Sequence, residues 1–394
     1  MSEGGQFGQP VFTARMPRGS SGLKLLLVCA IALAMSVLAF FVFLILMDRT
    51  HRADQVTGEI SRTVGGPQTF LGPVLAIPYV APAAAQPNDG SAAQAPNAAP
   101  RFERGVWYVF PVDGEAKVAT KTTVRRRSLF KVPVYEAVLN FDARFELTDA
   151  TKSAPAGAQF DWSRAELLVG ASDPRGATSD VTLTVGGQRH VLVPAVLQTE
   201  LGLTYPEDGS ARVGPVGGQT LRLFGMPAAG LIGPDNRLQV TGHMEFSGAQ
   251  RLALLAYGKS TRVTVSGDWD HPSFGGGFLP KGRAVAGHEP DKGMKPVSTG
   301  FVANWSMPFV ARGVPAQGGG EQLSRLGATD LAVAFVEPAN PYQSVSRSLK
   351  YAPLFLGLVF LAYFLFEITT GKRVHPAQYV LIGFAQTIFY LLLL

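Results

Sequence analysis

The densest group of residues that could take part in catalysis or metal binding is the run Asp268-Trp269-Asp270-His271. It places two carboxylates and an imidazole within four positions. Such a set could hold a metal ion or transfer protons as a general acid and base. In a strand, however, consecutive side chains face opposite ways, so Asp268 and Asp270 would share one face and His271 would lie on the other. The alternative interpretation is a strand end, where Asp, Pro and Gly terminate the pairing.

Other motifs lack a feature that their chemistry requires. Gly258-Lys259-Ser260 resembles the end of a phosphate loop, but the first glycine of GxxxxGK[ST] would fall at Ala253. The six histidines are never spaced as HxH, HxxxH or HExxH, which argues against zinc. Ser172 and Ser306 lack the GxSxG elbow of hydrolases. We therefore predict no catalytic, cofactor-binding or metal-binding residues, and a protein that is not an enzyme.

The composition indicates that some segments of the chain lie in a membrane and others in water. Of 394 residues, 46% are hydrophobic and only 16% are charged. The apolar excess lies in three runs, at 25–47, 351–366 and 379–394. The net charge of +6 comes from scattered Lys and Arg, and the triplet Arg125, Arg126 and Arg127 lies among strand-like residues. This pattern predicts a solvated strand face and no nucleic-acid partner.

The first apolar run predicts an uncleaved membrane anchor. Residues 25–47 carry no charge, and ~20 apolar residues in a helix cross a hydrocarbon core of ~30 Å. A signal peptide has a shorter core of ~7–15 residues followed by small residues at a cleavage site. The single cysteine, Cys29, lies in this run, so no intramolecular disulfide is possible.

Positive charge predicts the topology. Lys372 and Arg373, with His375, lie in a short loop between two apolar runs, which favours a cytoplasmic loop. The predicted segments are a cytoplasmic tail at 1–24, a transmembrane helix at 25–47, a periplasmic β-rich domain at 48–349, a second transmembrane helix at 350–370, a cytoplasmic loop at 371–377 and a third, apparently truncated transmembrane helix at 378–394. Because the last run ends at Leu394 without a polar flank, we expect a longer protein with further helices.

Glu367 is the one carboxylate in the second apolar segment, near its predicted cytoplasmic end. It is either an interfacial residue that reaches headgroup water or a buried functional carboxylate, since charges inside membranes are costly.

The predicted periplasmic domain is mostly β, with antiparallel, sandwich-like sheets. Residues 81–100, rich in Ala, Pro, Asn and Gln, predict a flexible surface insertion. From Val106 onward, strand-like runs alternate with Gly, Pro, Asn and Asp. The cleanest hairpin is VTLTV, Gly186-Gly187, QRHVLV. Weak helical periodicity occurs only at 195–203 and 321–326, so crossover helices of a βαβ fold are not expected.

Seven blocks, taken together and in order, resemble the CreD family of inner-membrane proteins, also described as cell-envelope integrity proteins. The blocks are GGPQTFLGPVLAIPYV at 65–80, RRRSLFKVPVYEAVLNFDARFEL at 125–147, LLVGASDPRG at 167–176, VSGDWDHPSFGGGFLP at 265–280, GFVANW at 300–305, FVEPANPYQSVSRSLKYAPLFL at 335–356 and HPAQYVLIGFAQTIFYLLLL at 375–394.

The resemblance implies a bacterial inner-membrane protein with a periplasmic domain after the first helix, several C-terminal spans and a role in envelope integrity or stress response. It supplies no catalytic residues. We expect a non-enzymatic binding or structural protein whose partners are the lipid bilayer and a periplasmic or inner-membrane protein, without a small-molecule cofactor. The alternatives are an envelope-acting enzyme with a site near Asp268, Asp270 and His271, and a transporter or lipid-handling subunit with Glu367 lining a path.

Overall fold

The computed structural model describes residues 21–82, 102–127, 130–197, 200–202, 220–336, 341–371 and 375–392. The chain forms two compact units, a helical unit of Met1–Asp54 with Ala339–Leu394 and a β unit of Gln55–Pro338. Most of the predicted insertion, most of the N-terminal tail and the loop residues Lys372 and Arg373 lie outside the described residues.

Six α-helices occur in the described parts of the chain. They are α1 (Ser21–Thr63), α2 (Phe309–Arg312), α3 (Gly320–Arg325), α4 (Pro341–Lys350), α5 (Ala352–Thr370) and α6 (Pro376–Leu392). Helices α1 and α5 are long and apolar enough to cross a membrane, whereas α6 is apolar but shorter. Residues Pro341–Lys350, at the end of the segment predicted as β-rich, form α4 and belong to the helical unit.

Helix α1 continues well past the apolar run that predicted it. A polar segment follows Met47, where an Arg52–Asp48 ion pair of 3.0 Å links successive turns. The helix ends when Gly65 and Gly66 adopt φ values of +91° and +65°, and the Gly66 N–H donates to the Ser61 carbonyl at 2.7 Å. Glycine adopts this left-handed backbone at low cost, so the pair stops the helix.

The helical unit has an apolar interior. Val28 and Met35 of α1 pack with Phe360 and Phe364 of α5 and with Tyr379 of α6. Large apolar side chains also cover the outer faces, with Leu33 at 73%, Leu354 at 66% and Leu381 at 67% exposed. A helix buried in a soluble core would hide such residues, so these faces suit a lipid environment.

The β unit contains nineteen strands within the described residues. They are β1 (Gln68–Pro82), β2 (Phe102–Val109), β3 (Asp113–Arg127), β4 (Phe130–Glu146), β5 (Gln159–Phe160), β6 (Glu166–Ala171), β7 (Thr182–Val185), β8 (Gln188–Val191), β9 (Val193–Pro194), β10 (Glu200–Gly202), β11 (Thr220–Pro227), β12 (Arg237–Ala249), β13 (Arg251–Leu255), β14 (Ser260–Gly267), β15 (Pro272–Gly276), β16 (Gly282–Val285), β17 (Phe301–Met307), β18 (Gln317–Gly318) and β19 (Asp330–Phe335).

These strands form two sheets. The main path of the 11-stranded sheet is β10-β11-β6-β1-β13-β19-β15, and the 8-stranded sheet has the order β16-β17-β14-β3-β4-β12-β7-β8. The prediction of antiparallel sheets is correct for most pairs, but β1 pairs with β13 and β3 pairs with β14 in parallel. Residues of both sheets share one core, in which the Phe70 ring lies 5.2 Å from the Phe246 ring and the Tyr135 ring 4.8 Å from the Phe335 ring.

Local sequence patterns account for several elements. Strand β4 alternates buried and exposed residues from Tyr135 to Glu146, as a strand with one core-facing side must. Arg125, Arg126 and Arg127 are exposed at the end of β3, which agrees with the predicted solvated face. The weak helix predicted at 321–326 is confirmed as α3. The one at 195–203 is wrong, because Glu200–Gly202 forms β10; residues 198, 199 and 203 lie outside the described chain.

The predicted hairpin is confirmed, with Gly186 and Gly187 joining β7 to β8 at φ values of +58° and +79°. Replacing Gly186 or Gly187 with Val should therefore destabilise the protein by about 1 kcal/mol or more, because a β-branched residue resists this backbone conformation. The midpoint of thermal unfolding measures the effect. Gly319→Val is the control, since Gly319 has an extended backbone with φ of −75° and open space beside it. Equal midpoints for all three variants would contradict the turn assignment.

Candidate functional site

The run Asp268-Trp269-Asp270-His271 is a turn between β14 and β15. Strand β14 belongs to the 8-stranded sheet and β15 to the 11-stranded sheet, so the chain changes sheets at these residues. The expectation that Asp268 and Asp270 share one strand face is therefore wrong. Pairing cannot continue through a segment that leaves one sheet for another, and the alternative interpretation, a strand end, agrees with the structure.

Both carboxylates of this turn bind backbone amides. The Thr122 N–H donates to Asp268 Oδ1 at 2.7 Å, and the Gly300 N–H donates to Asp270 Oδ1 at 2.9 Å. The Trp269 indole N–H donates to the carbonyls of His271 and Val336 at 3.1 and 3.2 Å. Among the described residues, no three His, Cys, Asp or Glu side chains converge as metal ligands would. The turn therefore serves to fix the crossing between the sheets.

Next to this turn lies a cleft of about 810 Å³. Its walls come from β15, β16 and the segment after β16, which are the terminal strand of each sheet and a neighbouring loop. Phe274, Leu279, Val285 and Val336 supply apolar surface, and polar side chains, including His271, His288 and Glu289, complete the lining. The cleft is thus lined by both apolar and polar side chains and lies beside two sheet edges.

The edge of β16 is already occupied. The Asp291 N–H donates to the Arg283 carbonyl at 2.9 Å, and the Arg283 N–H donates to Asp291 Oδ2 at 3.0 Å. The side chains of the same two residues pair at 3.4 Å. An incoming strand would have to displace these bonds, so β16 offers a protected edge.

Two hydrogen bonds establish which residues of β19 face β15. The Gly277 N–H donates to the Asp330 carbonyl at 2.9 Å, on the β15 side of β19. The Phe335 N–H donates to the Gln250 carbonyl at 2.7 Å, on the β13 side. Backbone groups in an antiparallel strand alternate sides from residue to residue. Even-numbered residues of β19 therefore face β15, and odd-numbered residues face β13.

The same alternation leaves one edge of β15 open. Ser273 and Gly275 stand opposite Ala334 and Ala332, so their backbone groups bind β19. The N–H and C=O groups of Phe274 must point the other way, and Phe274 lies in the wall of the cleft, where no described strand pairs with it. Strand β15 therefore presents unpaired backbone groups at the wall of the cleft, which is a template for an added strand.

A second polar site lies within the helical unit. Lys24 of α1 contacts Glu367 of α5 with an Nζ–Oε1 distance of 2.6 Å, and the Tyr379 hydroxyl of α6 donates to Glu367 Oε2 at 3.4 Å. Glu367 is only 8% exposed. Of the two interpretations of this carboxylate, the structure supports burial among helices. Its charge is compensated by the ammonium of Lys24.

Arg312 carried no sequence signal and is nonetheless unusual. Its residue exposure is 2%, and its guanidinium lies 4.2 Å from the centre of the Phe110 ring. None of its guanidinium nitrogens has a hydrogen-bond partner among the described residues. Burial lowers the pKa of this guanidinium to about 9. The group therefore remains charged at neutral pH, and the contact with the aromatic face offsets part of its burial cost.

Two helices long and apolar enough to cross a membrane, in a chain with a large β unit of two sheets, are typical of a membrane protein. The family described as "Inner membrane protein CreD" matches residues 20–394, and the chain belongs to this family of bacterial inner membrane proteins. The chain is also 26% identical over 356 residues to the inner membrane protein CreD of Escherichia coli (strain K12), covering 89% of this chain and 69% of that protein. The resemblance noted in the sequence is confirmed.

The Lys24–Glu367 pair should matter for the stability of the helical unit. We expect Glu367→Lys to lower stability by about 1–3 kcal/mol, because it places two ammonium groups together; the value is below that of fully buried pairs because the Lys24 side chain is 40% exposed. The exchange Lys24→Glu with Glu367→Lys should restore most of the loss. Thermal unfolding of the detergent-purified protein measures both variants.

Thr369→Val is the control for that experiment, since Thr369 lies on the same helix and its hydroxyl binds only carbonyls of that helix. An exchange variant no more stable than Glu367→Lys would show that the charges do not act as a pair.

Proposed function

We propose that this protein crosses the inner membrane several times and is a non-enzymatic binding protein, whose β unit lies in the periplasm and takes up an extended segment of a partner protein along β15. The observation that carries the proposal is the open edge of β15 in the wall of the 810 Å³ cleft. The partner would be a periplasmic or inner-membrane protein, and the cellular role would be envelope integrity or stress response.

An extended polypeptide is the ligand best matched to this surface. Strand addition uses backbone hydrogen bonds for affinity and pockets for alternate side chains for specificity. The outward N–H and C=O groups of Phe274, in the wall of the cleft, supply the backbone hydrogen bonds. Leu279, Val285 and Val336 supply an apolar lining for the pockets. This surface needs neither a nucleic acid nor a small-molecule cofactor.

A binding role also agrees with the contacts of the turn Asp268-Trp269-Asp270-His271. Asp268, Asp270 and His271 were the candidate residues for an envelope-acting enzyme. Asp268 and Asp270 each accept a hydrogen bond from a backbone amide, and Asp270 and His271 line the cleft. A general acid or base must be able to reach a substrate proton. Asp268, which accepts from the Thr122 amide, does not line the cleft, so the cleft does not bring the three candidate groups together, and this supports a non-enzymatic protein.

The proposed topology keeps the predicted segments, with a cytoplasmic tail, three spans formed by α1, α5 and α6, and a sandwich-like periplasmic β unit. The apolar outer faces of the helices support membrane embedding. The positively charged loop at Lys372 and Arg373 supports a cytoplasmic position for the end of α5.

A transporter or lipid-handling subunit is the second candidate, favoured by one observation. Glu367 faces other helices, as a carboxylate lining a path would. The pairing of Glu367 with Lys24 agrees equally well with a structural ion pair that has no part in transport. Strand addition in the β unit does not depend on which role Glu367 has.

Cysteine labelling in intact cells tests the topology. In a Cys29→Ala background, we expect a membrane-impermeant maleimide to label Ser91→Cys and Gly186→Cys but not Lys372→Cys, because the first two would lie in the periplasm. Lys372→Cys should become labelled after the membrane is permeabilised, which controls for reactivity. Labelling of Lys372→Cys alone in intact cells would invert the topology and place the β unit in the cytoplasm.

Site-specific photo-crosslinking tests strand addition. With benzoyl-phenylalanine at position 273 or 275, we expect crosslinks to the same partner segment at positions two residues apart, because neighbouring strands pair with a period of two. Position 275 accepts a side chain, since a Cβ on Gly275 would meet no atom within 4 Å. Mass spectrometry of the crosslinked peptides gives the positions.

The matched control places the same probe at Val191, which is 56% exposed on β8, the terminal strand of the other sheet. Crosslinks from Val191 to the same partner segment, or crosslinks from 273 and 275 without a common segment, would contradict strand addition at β15.

A further inference from the structure

A groove of about 490 Å³ opens in the helical unit between α1, α4 and the start of α5. One side is apolar and includes Ala39, Phe40 and Phe43 of α1. The other side carries two cations and a hydroxyl, from Arg347, Lys350 and Ser346 of α4. Neither the turn between β14 and β15 nor the β15 cleft contributes to this groove.

Helix α4 is amphipathic, and its packing determines where the cations lie. Its apolar residues Val345 and Leu349 are buried against Val42 and Leu46 of α1. Arg347 and Lys350 are exposed, and neither forms an ion pair with another described residue. Two uncompensated cations therefore stand at the edge of an apolar groove.

This level of the helical unit corresponds to the end of the apolar segments. On α1, Leu46 comes just before Asp48, the first charged residue after the apolar run. On the other side, Lys350 and the 54% exposed Tyr351 come just before the apolar helix α5. Aromatic and basic residues at such a boundary are typical of the interface between hydrocarbon and headgroups.

We propose that this groove binds an anionic phospholipid, with an acyl chain along Phe40 and Phe43 and the phosphate held by Arg347, Lys350 and the Ser346 hydroxyl. Guanidinium and ammonium groups are the usual protein donors to phosphate oxygens. A free phosphate ion would use the cations but leave the apolar side of the groove empty. A zwitterionic lipid would fill the apolar side but bring a positive group next to two cations.

The proposal rests on the membrane-spanning placement of α1 and α5, but not on which end is cytoplasmic and not on the β15 cleft. An inverted topology would change the maleimide labelling and leave lipid retention intact. Loss of lipid retention would leave the crosslinks at 273 and 275 unchanged. The two failures are therefore distinguishable.

The test is native mass spectrometry of the full chain purified in detergent, with added palmitoyl-oleoyl phosphatidylglycerol. We expect the protein to retain the lipid, with retention reduced about 5-fold in Arg347→Gln or Lys350→Gln and about 30-fold in the double variant. Ala39→Phe, which fills the apolar side of the groove while keeping the cations, should also lose the lipid.

A matched control should retain it. Val37→Phe adds a ring of the same size on an outer face of α1, where Val37 is 52% exposed and does not line the groove. Unchanged retention in the double variant, or equal retention of palmitoyl-oleoyl phosphatidylcholine, would overturn the proposal. Displacement of the lipid by sodium phosphate, with no effect of Ala39→Phe, would overturn it in favour of a small anion.

Discussion

One buried side-chain amide, that of Gln68, holds separate segments of the β unit together. It lies at the point where α1 has ended and β1 begins. Gln68 is fully buried, and its Nε2 donates to the carbonyls of Gly65 and Asp173, each at 2.9 Å. Its Oε1 accepts from the Ser172 hydroxyl at 3.1 Å and from the Asp173 N–H at 3.2 Å. Strand β1 pairs with β2, β5, β6 and β13, so these hydrogen bonds hold the first residue of a strand that four others pair with.

The same network explains two glycines, Gly65 and Gly176. A Cβ on Gly65 would stand 2.6 Å from the Cα of Gly176, and one on Gly176 would overlap the carbonyl oxygen of Ser247. The Ser247 hydroxyl in turn donates to the Val64 carbonyl at 2.9 Å. Three distant segments therefore meet with no room for side chains. This close approach gives a physical reason for the blocks at 65–80 and 167–176, on which the family resemblance partly rests.

Local features were predictable from the sequence, and features that depend on distant partners were not. Gly186-Gly187 needs only its own backbone to make a turn, and 25–47 needs only its own composition to make an apolar helix. The parallel pairing of Gln68 with Leu252 joins strands far apart in the sequence, with no crossover helix between them to indicate it. The open edge of β15 follows from its terminal place in the sheet, which no local pattern of Pro272–Gly276 contains. Arg312 shows the same limit, since its burial depends on Phe110, two hundred residues away.

A charged side chain in the helical unit can have a structural role or a ligand-binding role. The criterion that distinguishes the two is whether the protein itself supplies the counter-charge. Glu367 is buried where a charge is costly. The Lys24 Nζ lies 2.6 Å from Glu367 Oε1, so a group of the protein itself compensates this charge. Arg347 and Lys350 lie beside an apolar groove without an acidic partner among the described residues. Two neighbouring cations repel each other, and a second α-helix pressed into the groove would relieve that repulsion only by carrying an acidic group. A lipid phosphate supplies the negative charge and the apolar chain together, and the bilayer provides it in abundance.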